Sequence, residues 1–325
     1  MSNSIRVFSN LLTSMLVALS AANTGAASQC DFRPIFTRPD ERGTMTVKVY
    51  EAKAVSLPNG KHPLLFITSL KVNTDGALIS YNQDDPTGNR CEEDPGNAPC
   101  AINNIRNAYR DFHKPVEDFI AIRNAGYPPE KTWRVLSPDI IEKDSKTGKP
   151  CITREGYLVS MTADVAVNGG HSKAGDCDPS KWIDALTAPA IVLPKKTRAL
   201  PSQFASAGLG MRSLVVGVSA DASHRTVAGI VGDLGPAKEI GETNIAMNRE
   251  LNGLPALDQP KSRKDAVRRF QAGRTAILLF PGTDFILDRP ITGARIKTAG
   301  DDAIAKVGGV SKIVQCILNE LDPGF

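Results

Sequence analysis

Residues 226–247 restrict the fold of this chain more than any other segment. An apolar run over 227–231 predicts a buried strand, which ends at a glycine followed by Asp233. A short turn over 234–237 then leads to Gly241-Glu242, where the pattern predicts the start of a helix. One carboxylate therefore stands at a strand end and a second at a helix N-terminus. In such a strand–turn–helix unit both side chains can face one cleft.

Short segments with strand periodicity recur along the chain between loops and a few helical segments. The predicted strands cover 44–55, 64–72, 77–81, 155–167, 188–193, 213–219, 226–233 and 275–280. The predicted helices cover 101–112, 115–124, 242–251, 263–272 and 302–321, the last with a break at Gly308-Gly309. Because strands and helices do not alternate regularly, the pattern favours a mostly β protein with peripheral helices, of the α+β class. We expect a single antiparallel, barrel-like β core.

The first 28 residues have the features of a secretory signal peptide. Arg6 supplies a positive charge, residues 11–22 are apolar, and small residues follow at 25–28. The apolar stretch is too short to cross a bilayer as a helix, and no later segment approaches the roughly 18 apolar residues that a spanning helix needs. We therefore predict a secreted or periplasmic protein whose single catalytic domain covers residues 29–325.

All six cysteines follow the predicted signal peptide: Cys30, Cys91, Cys100, Cys151, Cys177 and Cys316. An even number in an exported chain predicts disulfides, and six cysteines allow about 15 pairings. Cys91–Cys100 is the local candidate, since Asp94-Pro95-Gly96 can turn the chain between them. The chain has no CxxC and no HExxH spacing, so we expect no zinc site. We also expect no other metal and no organic cofactor.

The net charge of +4 is too small to indicate binding to nucleic acid. Basic residues do cluster over 261–269, but no aromatic residues are interleaved with Lys261, Arg263, Lys264, Arg268 and Arg269. A solvated helix face is the interpretation we prefer for this cluster.

Asp233 and Glu242 each allow a structural interpretation. An aspartate at a strand end often bonds nearby backbone amides, and a glutamate at a helix start is favoured by the free N–H groups there. As a pair flanked by glycines they also have the minimum equipment for splitting a glycosidic bond by acid/base chemistry.

Four segments, in order, resemble the bacterial branch of glycoside hydrolase family 75, the chitosanases. They are 66–76 (FITSLKVNTDG), 156–162 (GYLVSMT), 178–184 (DPSKWID) running on to 190–194 (AIVLP), and 229–236 (GIVGDLGP) with 240–246 (IGETNIA). The resemblance is strongest over residues 60–255. It implies endo-acting, inverting hydrolysis of β-1,4-linked glucosamine polymers, with Asp233 and Glu242 as the essential carboxylates.

In an inverting enzyme one carboxylic acid protonates the leaving oxygen and the other carboxylate activates a water on the opposite ring face. We assign Glu242 as the acid and Asp233 as the base. The predicted helix N-terminus at Glu242 opposes this order, because it would lower the pKa of the acid. Burial would reverse that effect.

Chitosan is a polycation at mildly acid pH, so we expect a locally acidic groove that binds this polysaccharide. Asp84 and Asp85 lie in an acidic loop over 82–100, and Asp75 lies at the turn before it. The alternative is a solvated disulfide loop. Tyr81 and Trp182 are candidates for stacking on sugar rings, although core packing is the more common fate of such residues. We expect the protein to act as a monomer.

Two other functions are compatible with the sequence. A hydrolase of peptidoglycan or another amino-sugar wall polymer would fit the modest positive charge, because such walls are anionic. A non-catalytic wall-binding protein would keep only the groove, and it would not need an acid/base pair.

Overall fold

One mixed sheet of nine strands organises the protein in our computed structural model, which describes residues 30–94, 99–167, 175–196, 202–235 and 238–325. The predicted signal peptide lies outside these residues. The strands are β1 (Phe32–Pro39), β2 (Thr46–Ala52), β3 (Leu64–Ser69), β4 (Lys71–Asn73), β5 (Tyr81–Asn82), β6 (Tyr157–Leu158), β7 (Ala190–Pro194), β8 (Leu214–Ser219), β9 (Thr226–Gly235), β10 (Glu242–Asn244) and β11 (Arg274–Leu279). The large sheet has the order β1-β2-β3-β11-β8-β9-β7-β10-β4, and β5 pairs with β6 in a separate small sheet.

Helices cover both faces of the large sheet. They are α1 (Arg90–Glu93), α2 (Val116–Asn124), α3 (Pro129–Val135), α4 (Gln203–Ala207), α5 (Ile245–Leu251), α6 (Arg263–Asp265), α7 (Gly293–Lys306) and α8 (Gly309–Glu320). Single 3₁₀ turns occur at Ile105–Ala108, Pro179–Lys181 and Thr283–Phe285, and a π-helical turn at Ala266–Phe270.

The central strands are apolar on both faces because each face is buried against helices. Val216 and Ile230 pack with Ile296 of α7 and Ile317 of α8 on one face. On the other face Val215 and Val231 pack with Met247 and Leu251 of α5 and with Phe204 of α4. The C-terminal residues from 256 onward thus complete the core, since they supply the central strand β11 and two covering helices.

The α+β class is confirmed, but the predicted barrel-like closure is not. Within the described residues β1 and β4 remain the two edges of the sheet. The sheet is also mixed, because β7 runs parallel to β9 and β10 runs parallel to β4. Periodicity reports which residues are buried and not which strands are neighbours, so these crossovers were not predictable from it.

Several predicted elements are confirmed, and others are shifted or wrong. The β8–β9 pair is antiparallel as predicted, and the C-terminal helices are separated at Gly308, which has a positive φ of 95°. The predicted helix over 242–251 begins only at Ile245. The predicted helix over 101–112 is reduced to one 3₁₀ turn, and β1 and α3 were not predicted.

All six cysteines are paired, as Cys30–Cys316, Cys91–Cys100 and Cys151–Cys177. The local Cys91–Cys100 prediction is confirmed. Cys30–Cys316 joins residues 286 positions apart and ties α8 to the segment that enters β1. Of the helices in the described ranges, none has the length and apolar character needed to cross a bilayer.

Candidate active site

Asp233 and Glu242 project from the same face of the large sheet. Val192 of β7 is in register with Asp233 of β9, and the neighbouring Ile191 is in register with Thr243 of β10. Val192 therefore lies between Asp233 and Glu242 in one row across three strands. Residues in register share a face, and two strand spacings place the outer Cα atoms roughly 10 Å apart.

A β-bulge at Gly232 sets the direction of Asp233. Ile191 pairs with Val231 and Val192 pairs with Asp233, so Gly232 is an extra residue in β9. Without this residue Asp233 would point to the opposite face, because side chains alternate along a strand. A Cβ atom at Gly232 would lie 2.6 Å from the Cβ of Ala190, which explains why a glycine is needed here.

The carboxylate of Asp233 is anchored by backbone amides. Its Oδ1 accepts hydrogen bonds from the N–H of Ala163 at 2.9 Å and of Leu234 at 2.8 Å. Burial, reinforced by the negative charge of Asp75, raises the pKa of Asp233 to about 7 even though these two amides and Lys195 oppose the shift.

Glu242 lies on strand β10, which corrects its predicted place at a helix start. The N-cap of α5 is Asn244, whose Oδ1 accepts from the N–H of Met247 at 3.0 Å. The helix N-terminus therefore does not lower the pKa of Glu242. Burial raises it to about 8, and the negative charges of Glu41, Asp75 and Asp233 act in the same direction against Lys71.

Asp75 joins the two predicted catalytic carboxylates. It lies in the turn after β4, and its Oδ1 accepts a hydrogen bond from the hydroxyl of Tyr81 at 2.6 Å. Burial raises the pKa of Asp75 to about 6. The turn is tightly fitted, since Gly76 has a φ of 83° and a Cβ there would lie 2.5 Å from Thr162.

Asp75 and Asp233 line a small hollow with room for about one water molecule. Its polar lining comes from β4, its following turn, the 160–166 loop, β9 and β10, as Asn73, Asp75, Thr162, Asp233 and Asn244. We call the three half-buried carboxyl groups of Asp75, Asp233 and Glu242 the acidic cleft. A hollow of this kind can hold a water beside one carboxylate, Asp233, while the other, Glu242, stands at the far end of the row across the three strands.

In the acidic loop that was predicted to line the groove, Asp85 binds the loop's own backbone. Asp85 is 2% exposed, and its carboxylate accepts from the amides of Asn89, Arg90 and Ala101 at 2.9–3.1 Å. This corrects its predicted substrate contact, because its oxygens already hold the loop together. Asp84 is exposed and lies 3.4 Å from a guanidinium nitrogen of Arg123.

Neither aromatic candidate offers a ring face to a sugar. Tyr81 is 1% exposed and belongs to the core beneath the small sheet. Trp182 is 2% exposed, and its indole N–H donates to Oε2 of Glu142 at 3.1 Å. Both predictions of ring stacking are corrected by this burial, although the Tyr81 hydroxyl does reach the cleft through Asp75.

Two charged residues beside Glu242 were missed by the sequence analysis. Lys71 is its partner in the parallel β10–β4 pair, and Glu41 approaches it from the turn after β1. Lys71 lies inside a segment that carries the family resemblance, so it could have been noticed. No local signal marks Glu41, because the contact joins residues far apart in sequence.

In the residues that the structure describes, no three His, Cys, Asp or Glu side chains are grouped closely enough to hold a metal ion. Comparison of the sequence with known family models and with curated proteins finds no match. The resemblance to the chitosanases remains a prediction.

Proposed function

We propose that the protein is an exported, inverting glycoside hydrolase that cleaves polymers of β-1,4-linked glucosamine. One observation carries the proposal: Asp233 and Glu242 stand on one face with one strand between them, and Asp233 lines a hollow with room for a water. Inverting enzymes need two carboxyl groups about 6.5–9.5 Å apart with a water between base and sugar. The roughly 10 Å spacing of the backbone is compatible with that range once the side chains converge.

The surroundings of the two carboxyl groups support Glu242 as the acid. Burial raises the pKa of both, but two backbone N–H groups favour the charged form of Asp233, whereas Glu41, Asp75 and Asp233 all favour the protonated form of Glu242. Glu242 then protonates the leaving glycosidic oxygen, and Asp233 takes a proton from the attacking water. The two amide hydrogen bonds on Asp233 keep one oxygen fixed and aim the carboxylate.

The charge of the cleft favours a cationic sugar. Asp75 raises the pKa of Asp233, and both raise the pKa of Glu242, so a bound ammonium group relieves their repulsion. Glucosamine carries such a group, whereas the amino groups of peptidoglycan sugars are acylated. The acidic cleft therefore favours a glucosamine polymer over an anionic wall polymer, although the chain as a whole is basic.

Export is the second part of the proposal. Three disulfides are typical of proteins that fold in an oxidising compartment, which agrees with a signal peptide over residues 1–28. Mass spectrometry of the protein recovered from an exporting host tests this, with a mature N-terminus near residue 29 as the expected result.

The substrate is tested by incubating the protein with chitosan, chitin and peptidoglycan and measuring new reducing ends. We expect release from chitosan, with the α-anomer formed first in proton NMR as inversion requires. Release from peptidoglycan alone would identify a wall hydrolase instead. Binding to a polymer without release from any of them would identify a non-catalytic protein.

A further inference from the structure

The turn after β1 delivers a fourth carboxyl group to the acidic cleft. Residue 240, just before β10, is bridged to Asp40, and its N–H donates to the carbonyl of Pro39 at 3.1 Å. This contact brings one edge of the sheet against the segment that leads into β10. Glu41 follows Asp40 directly, so its side chain arrives beside Glu242.

The turn itself is rigid. Asp40 is buried, and its carboxylate accepts from the amide of Thr44 at 2.7 Å and from that of Met45 at 3.0 Å. These bonds fix the backbone on which Glu41 stands. The Glu41 side chain is only 5% exposed although it extends from a surface turn, so it is held against the protein and not in solvent.

Glu41 makes two contacts of opposite character. One of its oxygens, Oε2, lies 3.5 Å from the ammonium of Lys71, which is in register with Glu242 on the neighbouring strand. The other contact is with Glu242, whose pKa is raised by the negative charge of Glu41. Two neighbouring carboxyl groups can share a hydrogen bond only when one of them keeps its proton. Burial raises the pKa of both carboxyl groups and Lys71 lowers both, but Lys71 contacts Glu41 directly, and Asp75 and Asp233 raise the pKa of Glu242 further. Glu242 is therefore taken as the donor.

We propose that Glu41, held by Lys71, is a positioning residue for Glu242, whose acid proton it accepts in a hydrogen bond across the edge of the cleft. This deepens the proposed function and rests on it, because the proton concerned is the one that protonates the leaving group. In this role Glu41 acts through Glu242 and does not touch the substrate.

The arrangement is neutral while Glu242 holds its proton, because Glu41 and Lys71 cancel. After the proton passes to the leaving oxygen, two adjacent carboxylates face one ammonium, and their repulsion draws a proton back from solvent. Four other charged or titratable groups act on this pair: Asp75, Asp233, the Tyr81 phenol, and Glu239, which acts on Glu41. Substituting Glu41 or Lys71 leaves these four in place.

The test is a carbon NMR titration of the protein with ¹³C-labelled glutamate side chains. Signals are assigned with the variants Glu242→Gln and Glu41→Gln. In Glu41→Gln the midpoint for Glu242 should fall by on the order of one pH unit, because a repelling charge is lost while Lys71 remains. In Lys71→Met the midpoint should rise. If Glu41 and Lys71 have only a structural role, the Glu242 midpoint should not shift in opposite directions in the two variants.

Glu51→Gln is the matched control. Glu51 is also paired with a lysine, Lys53 at 2.7 Å, but lies at the other end of the β1–β2 hairpin. The Glu51→Gln variant should leave the Glu242 midpoint unchanged. An unchanged midpoint in Glu41→Gln, or a shift of the midpoint in the same direction in Glu41→Gln and Lys71→Met, would overturn the proposal. If Glu41→Gln does not fold, Lys71→Met decides alone, and a midpoint that does not rise would overturn it.

Activity gives a second measurement. The alkaline limb of the kcat profile on chitosan, which reports loss of the acid proton, should move to lower pH in Glu41→Gln with KM unchanged. A raised KM would place Glu41 against the substrate and contradict the positioning role. If the wild-type protein cleaves no polymer, the proposed function fails, while the NMR titration still decides whether Glu41 positions the proton of Glu242.

Discussion

Two acidic regions of the molecule can be compared residue by residue: the acidic cleft, and the loop that carries Asp84 and Asp85. In the cleft, three carboxyl groups are half-buried on strands and a tight turn, and burial raises their pKa values, with further rises at Asp233 and Glu242 from neighbouring carboxylates. In the loop, Asp85 is more deeply buried but is surrounded by three backbone N–H groups. Burial therefore has different consequences for a carboxylate that faces other carboxylates and for one that faces backbone N–H donors.

The two regions differ because Asp85 stabilises the fold, whereas the fold holds the cleft carboxyl groups in surroundings that disfavour their charged form. Both oxygens of Asp85 accept hydrogen bonds from the loop, which leaves them occupied by the protein itself. The cleft carboxylates are incompletely compensated, which is typical of functional sites. Substitutions in the two regions should accordingly have opposite effects on stability and different effects on activity.

The largest expected effect is loss of activity in Asp233→Asn and in Glu242→Gln. Each removes one partner of the acid/base pair, so we expect a decrease in kcat of about 10²–10⁴-fold. Reducing-end release from chitosan measures it. Asp301→Asn, on the exposed face of α7, removes a carboxylate paired with Lys297 and should keep full activity. Near-normal turnover in either cleft variant would remove the catalytic assignment.

Next in size is a loss of stability in Asp85→Asn. An amide cannot accept from all three N–H groups, and hydrogen bonds to charged groups are worth more than neutral ones, so we expect a decrease of about 2–3 kcal/mol in the free energy of unfolding. Urea titration measures it. Asp301→Asn again serves as the control, with a change within about 0.5 kcal/mol. A similarly small change in Asp85→Asn would mean that the loop does not depend on this carboxylate.

The bulge offers a test of how the cleft is aimed. Gly232→Ala places a methyl group against Ala190, so we expect about 1–3 kcal/mol of destabilisation. Activity should also fall, since the strand must shift at the bulge to admit the methyl group, and this moves Asp233. Gly210→Ala is the matched control, because a Cβ there meets nothing within 4 Å. Equal activity in the two variants would show that the bulge does not direct Asp233.

The sequence could predict the cleft residues but not how they meet. The apolar run before Asp233 and the turn at Asp75 were visible in local patterns, and both residues do reach one site. The bulge at Gly232 depends on the register of β7 against β9, and no local pattern reports register. The contact of Glu41 with Glu242 depends on where the end of β1 lies in the folded sheet.

The same limit explains the errors at Tyr81, Trp182 and Asp85. The aromatic rings were candidates for a sugar surface and Asp85 for a groove wall, yet contacts that local patterns do not report bury all three. Trp182 is covered by residues of the 151–165 region, and Asp85 by the amides at both ends of its disulfide loop. Composition indicates that a loop is acidic, but only tertiary contacts decide whether its charges face a ligand or the backbone.

The smallest effect, and the one with the opposite sign to Asp85→Asn, is expected for Asp75→Asn. The pKa of Asp75 is about 6 in the folded protein, above the value of about 3.9 in an unfolded chain, so the protonated form is favoured by folding. Its contribution is complete below pH 4 and is lost as the pH rises through 6. At pH 8 an asparagine, which can still accept from Tyr81, should therefore raise the free energy of unfolding by on the order of 1 kcal/mol. Thermal melting at pH 4 and pH 8 measures this, and the gain should appear only at the higher pH. A loss of stability at pH 8 would place Asp75 with Asp85, as a carboxylate whose hydrogen bonds stabilise the fold.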